Sequence, residues 1–303
     1  MKARLTLALM LGAGRLWACP CSDDAGSATG LVRSDERYAL ALVATSRHAL
    51  GRFDALGRYS ALERAEAETS EELLLRAGLR LPQRLEWLGE LGYASYRLHA
   101  PGFVERNDGV GDAILHARYG VLEEGMPHER RLVALGLSGL LRAPLGSITS
   151  ARESSFGSGG AQLGLGAWEA GAGIELKRSL WPELEVLLGG EAAYRFLDHV
   201  LGVARQLGPR ADVALGARVL PSAWLSTSLL LRARFIGDVA LAGRRLDGTA
   251  ERLWSVVAGA AVFERHSRLR SSVTLSVDPP LGAFSQGSTA AAALSVAVGY
   301  GSE

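Results

Sequence analysis

Cysteine is almost absent: the 303-residue chain has two, Cys19 and Cys21. No disulfide framework or cysteine-rich metal site can therefore hold its body together. A charge excess is missing as well, with 33 Lys plus Arg against 32 Asp plus Glu. Composition thus gives no electrostatic reason to bind nucleic acid. Beyond Ala18, no apolar run reaches the roughly 20 residues that a membrane helix needs. The charge-free tail Pro279–Ser302 is long enough but full of Ser, Gly, Thr and Gln. Helical patterns of roughly ten to fifteen residues do not recur between apolar segments, which argues against an α/β plan.

What is present is alternation. In Gly111–Val121, Ala113, Leu115, Ala117, Tyr119 and Val121 share one parity, while Asp112, His116 and Arg118 share the other. Arg131–Arg142 repeats the pattern, with Val133, Leu135, Leu137 and Leu141 opposed by the small Ala134, Gly136 and Ser138. A period of two marks a strand. A charged face cannot line a soluble core, and the opposite face is cleanly apolar. Such a strand has lipid outside and water inside.

The same rhythm predicts strands over Arg37–Ala49, Glu71–Leu81, Leu85–Leu98, Gly160–Lys177 and Leu184–Phe196. It continues over Ala211–Leu220, Trp224–Phe235, Glu251–Phe263, Ser267–Val277 and Thr289–Tyr300. A bulge near Gly166 would reconcile the two parities of Gly160–Lys177. Gly51–Ser70 reads as a long surface loop with room for a helical turn. The total is twelve strands, with long connections beginning at Gly51, Ala100, Ala143, Leu197, Gly237 and Asp278. Short ones begin at Pro82, Leu122, Arg178, Pro221 and Arg265. Sorted loops of this kind belong to an all-β, transmembrane antiparallel up-and-down β-barrel, with short periplasmic turns and long extracellular loops. Tyr38, Trp87, Tyr119, Trp181, Tyr194, Trp224, Trp254 and Tyr300 are candidates for its interfacial girdles, some of them instead filling loops or lumen.

The N-terminus reads as an export signal over residues 1–18. Lys2 and Arg4 precede the apolar Leu5–Gly14, with cleavage after Ala18. Residues 19–36 form a spacer and 37–303 the barrel. Cys19 is a candidate lipidation site, since Leu16-Trp17-Ala18-Cys19 is similar to a lipoprotein box. A Cys19–Cys21 pair, or a thiophilic metal held by both, are the alternatives.

Gly109-Val110-Gly111-Asp112, leading into Leu115-His116-Ala117-Arg118-Tyr119, is similar to a pattern in one bacterial family. So are Leu140-Leu141-Arg142-Ala143-Pro144-Leu145-Gly146 and Gln162-Leu163-Gly164-Leu165-Gly166-Ala167-Trp168. On these segments the chain resembles the outer-membrane proteins grouped with the phenol-degradation meta pathway (MetA-type), a family assigned to transport. Arg-Ala-Pro stands where Leu-Pro-Thr is commoner. The resemblance covers the middle third of the chain and implies an outer-membrane location and a role in uptake or efflux, without fixing a substrate.

Parity places charges of both signs on the inner face. Arg76, Arg80, Arg118, Arg195, Arg218, Arg232, Arg234, Arg268 and Arg270 face Glu72, Glu86, Glu90, Asp112, Glu185, Glu191 and Asp212, with His116 among them. They form either a polar pore, in which the arginines of Trp224–Phe235 and Ser267–Val277 favour anions, or a neutralising network that plugs a narrow barrel. Twelve strands fall between filled eight-stranded and open sixteen-stranded barrels, and the balance of signs favours a network with at most a narrow passage. The expected function is a transporter or narrow channel for small solutes. A structural or adhesive barrel with a plugged lumen is the alternative. An outer-membrane lipid hydrolase is the least favoured reading, and no enzyme is expected. His266 and Ser267 are adjacent on a strand and face opposite ways, and His48, His99, His116, His128 and His199 are scattered. No cofactor is implied. Outer-membrane lipid, the barrel-assembly machinery and an unidentified small solute are the expected partners, with no nucleic acid.

Overall fold

The computed structural model describes residues 36–302, apart from 64–65, 83, 123–132, 147–164, 182, 201, 223, 265–266 and 281–284. The export signal, Cys19 and Cys21, His128 and His266 lie outside the described residues. Twelve long strands run up and down: β1 (Tyr38–Phe53), β2 (Ala67–Leu81), β3 (Leu85–Ala100), β4 (Ala113–Leu122), β5 (Val133–Ala143) and β6 (Glu169–Trp181). The remainder are β7 (Leu184–Arg195), β8 (Arg210–Ser222), β9 (Leu225–Ile236), β10 (Glu251–Phe263), β11 (Leu269–Val277) and β12 (Thr289–Ser302). Each pairs antiparallel with its neighbours in sequence, and β12 pairs with β1 from Tyr38↔Ser302 to Arg52↔Thr289. The sheet is thereby a closed, twelve-stranded antiparallel barrel. Closure removes the unpaired edges that an open sheet would present to lipid. No helix occurs among the described residues.

The alternation turns the wall inside out relative to a soluble protein. Leu40, Leu42, Leu73, Leu75, Leu215, Leu229 and Val298 are exposed on the outside, while Glu86, Arg195, Asp212 and Arg270 are buried within. An exposed apolar belt of this extent is stable only in hydrocarbon. Aromatic side chains border the belt. Tyr38, Trp87, Tyr119, Trp181, Trp224 and Tyr300 are exposed at the end that carries the short turns, the start of β1 and the end of β12. At the opposite end, Trp168, Tyr194, Phe196 and Phe235 are exposed and Trp254 is half-buried, all on the β6–β10 side. Short turns face the periplasm in barrels of this kind, so the long connections rise from the outer leaflet.

Two expectations need correction. Strand β6 starts at Glu169 instead of Gly160, and no bulge is needed at Gly166, which has φ 69° in a bend ahead of the strand. Gly51–Ser70 is not loop throughout: β1 continues to Phe53 and folds back onto Tyr59–Ala61, and β2 begins at Ala67. Asp54 directs that reversal, its carboxylate accepting from the Leu56 and Arg58 amides at 2.9 and 2.8 Å. With Arg58 Nε donating as well, at 2.7 Å, three local bonds to one side chain fix the turn.

Two long connections also pair with each other. Asp198–Val200, Val203–Gln206, Ala240–Leu241 and Arg244–Arg245 form a four-stranded sheet above the barrel. Its two legs cross where Gly208 meets Gly237, so close that a Cβ on Gly208 would lie 2.0 Å from the Gly237 carbonyl oxygen. Asp238 ties off the second leg, accepting from the Ala250 amide and from Arg245 Nε, each at 2.8 Å. The hydrogen bond from the Arg245 side chain, then that from Ala250, holds the Asp238 carboxyl below its ordinary value of 3.8. A lowered carboxyl pKa contributes stability above the unfolded value and loses it as the pH falls through the folded value. Acidification below pH 4 should therefore release Ala250 amide protection in hydrogen exchange, whereas Asp238→Asn should show the released state already at neutral pH.

Candidate functional site: the charged lumen

Strand parity carries the charges inward, and strand register decides which of them meet. Near the long-loop end, Glu169 is the hub. Its side chain is 0% exposed, accepts from Arg195 Nε at 2.8 Å and lies 3.2 Å from Arg210 and 4.0 Å from Arg142. Arg210 also binds Glu191 and stands 3.3 Å from Asp212. Asp212 in turn accepts from Arg232 and Arg234 at 3.0 and 2.9 Å. Thus Arg195, Glu191, Asp212, Arg232 and Arg234 form one continuous cluster with three residues that the sequence reading passed over: Arg142, Glu169 and Arg210. Parity extended to the strand ends reaches them, since Arg142 is the next-to-last residue of β5 and Glu169 and Arg210 are the first of β6 and β8, all on the charged face.

Midway down, Arg76 pairs with Glu90 at 3.3 Å, next to Glu72, whose neighbours include Glu90 and Arg76. His116 stands on the same inner face, half-buried, with Arg210, Arg142, Arg76 and Glu169 as its charged surroundings. Toward the short turns, Glu86 is shared by Arg80 at 3.3 Å and Arg118 at 3.6 Å. The Arg118 guanidinium lies over Gly136, where a Cβ would come within 2.9 Å of its Nε. Arg218 binds Glu185, Lys177 lies 2.7 Å from Glu175, and Arg270 binds Glu36, just ahead of β1.

Two predicted members are placed differently. Asp112 does not pair with an arginine of the cluster; it accepts from the Gly146 and Leu165 amides at 3.2 and 2.7 Å, fastening both ends of the β5–β6 connection. Arg268 is not on a strand: it occupies a turn with φ 55° before β11, and its carbonyl accepts from Gly301. The inner face is also less uniformly charged than alternation implies. Leu88 is buried against Ala39 and Ala41, and Leu230 packs with Val257 and Leu187.

Two asymmetries define the lumen. Across it, the charges stand on β2–β9, whereas β10, β11, β12 and β1 present mainly small neutral residues between their ends, including Ser255, Ala261, Thr274, Ser295, Ala297 and Ala41. Along it, buried pairs occur at both levels, with Glu169, Arg195 and Arg210 near the long-loop end as enclosed as Glu86 and Arg118 toward the short turns, and only the arginines at the upper rim stand open. Arg47 and Arg234 are 45% and 38% exposed near the upper mouth, against 5% for Arg270 near the lower. Paired side chains thus narrow the lumen at both levels, beside a wall of small neutral residues. Among the described residues no cluster of His, Cys, Asp and Glu is arranged to hold a metal ion.

No family model and no curated protein matches the sequence. Solved structures do match. The crystal structure of an outer-membrane channel from Pseudomonas putida F1 superposes with a TM-score of 0.69 at 15% identity, over 88% of this chain and 97% of that one. The translocator domain of the autotransporter NalP from Neisseria meningitidis gives 0.48 at 10% identity, covering 88% of each chain. The β-domain of the Bordetella autotransporter BrkA gives 0.48 at 13%, covering 88% of this chain and all of that one. The first of these establishes a common fold. With its closed wall, apolar belt and bordering aromatics, the protein is an outer-membrane β-barrel. The outer membrane is its location.

Proposed function

We propose that the barrel is a narrow channel for small solutes, akin to the MetA-type outer-membrane transporters that its central motifs resemble. The observation that carries this reading is the closed barrel's asymmetric inner face, with paired charges on one side and small neutral residues on the other. The lower half is narrowed by Arg80–Glu86–Arg118 and Arg218–Glu185, flexible groups that can part, beside a wall of small neutral residues. A purely structural plug would gain more from large apolar residues on that wall, because unfilled interior space costs packing energy. The Pseudomonas putida fold relative is itself an outer-membrane channel, which supports the reading. His116 belongs to the charged inner face in this reading, among Arg210, Arg142, Arg76 and Glu169.

Planar-bilayer recording on the purified, heat-modifiable barrel tests this. Small, discrete single-channel steps are the expected result. Persistent closure across the voltage range, with outer-membrane fractionation intact, would instead establish a structural barrel.

A further inference from the structure

The outer wall carries a feature that conduction does not explain. A groove of about 820 Å³ crosses the lipid-facing side of β6–β10 at the long-loop end. Its floor is alanine, with Ala172, Ala192 and Ala211 standing where the belt elsewhere carries Leu and Val. Tyr194 and Phe235 wall it, and Arg252, cross-strand partner of Phe235, stands at its rim. Its floor, walls and rim face outward, and Arg210 and Glu251, the first residues of β8 and β10, bound it on the lumen side, so it opens to the membrane.

We propose that this groove seats the phosphate-bearing glycolipid of the outer leaflet, lipid A, with an acyl chain along the alanine floor and a phosphate on Arg252. Four observations converge on that occupant. The groove faces hydrocarbon, so a membrane lipid is what reaches it, and its volume falls in the range of ordinary ligand sites, about 300–1,000 Å³. Among the described residues, the Arg252 guanidinium has neither an ion-pair nor a hydrogen-bond partner, and it is exposed beside an apolar surface. A guanidinium fork left free there matches a phosphate. The upper aromatics Trp168, Tyr194, Phe196, Phe235 and Trp254 cluster on this side, with Tyr93 of β3 exposed across from them, and mark headgroup height at the level of Arg252. Finally, the groove lies at the long-loop end, where the outer leaflet is.

Native mass spectrometry of the folded barrel in detergent, with added lipid A or added phosphatidylethanolamine, tests the assignment. A one-to-one lipid A adduct is expected, retained at least tenfold more strongly than phosphatidylethanolamine. Arg252→Glu should remove the preference by charge, and Ala192→Trp should remove it by filling the floor while keeping Arg252. Both positions face outward, and heat-modifiable migration verifies folding; Ala211→Leu replaces Ala192→Trp should the latter fail to fold. An adduct unchanged in either variant, or equal retention of the two lipids by the wild type, overturns the proposal. Because the readout is binding, it stands apart from whether the lumen conducts.

Discussion

Removing the lower layer of side chains should raise single-channel conductance severalfold. The variant is Arg80→Ala with Glu86→Ala and Arg118→Ala, which empties the space between β2, β3 and β4 without leaving an unpaired ion. The three charges belong together, with Glu86 shared at 3.3 and 3.6 Å. Taking all three out trades a desolvated ion cluster for water. Removal of Glu86 alone would have a different consequence, since two guanidiniums would then repel and the barrel itself would weaken. In the triple variant, Gly136 loses the guanidinium that covers it, and nothing large on that strand replaces the obstruction. Current through a narrow pore depends on its tightest section. Unchanged conductance would place the constriction elsewhere.

Glu169→Ala should be the most destabilising single substitution in the lumen. Its carboxylate is fully buried and is the common neighbour of Arg195, Arg210 and Arg142. Deleting one member of a buried ion cluster costs about 3–5 kcal/mol, because the remaining charges stay desolvated and uncompensated. Glu169→Gln keeps an acceptor and should lose less. The midpoint of denaturant-induced loss of heat-modifiable migration measures both. Arg142, at 4.0 Å, contributes least to the hub, so Arg142→Ala should fall well below Glu169→Ala in the same assay.

Parity is written in the sequence, and partnership is not. Alternation places Asp112 and Asp212 on the inner face, each six residues ahead of an arginine. The equivalence ends there. Asp212 neighbours three arginines, while Asp112 binds two backbone amides of a loop. What separates them is register and the path of the β5–β6 connection, both set by contacts between strands remote in sequence. Arg118 and Arg218 remain alike, each paired with a glutamate of the preceding wall strand, Glu86 and Glu185. The start of β6 was misplaced for a related reason. Gly160–Gly166 alternates too, yet a positive φ at Gly166 turns the chain before pairing begins at Glu169. Leu88 and Leu230 escaped notice because an apolar residue on a charged face reads as noise until the neighbour it covers is known.

The ion pairs also imply an order of events in building the wall. Arg76–Glu90, Arg118–Glu86, Arg195–Glu169, Arg218–Glu185 and Arg234–Asp212 each join strands that are neighbours in both sequence and space. A barrel that grows strand by strand therefore acquires each of these charges alongside its partner, and little unpaired charge is exposed on the way. Arg270–Glu36 and Arg47–Asp278 are different, because each reaches across β12 to connect the last hairpin with the first strand. They form only when the ends of the chain meet. These two contacts are a latch on the finished ring, and Glu36, buried just ahead of β1, is seated only when that latch closes.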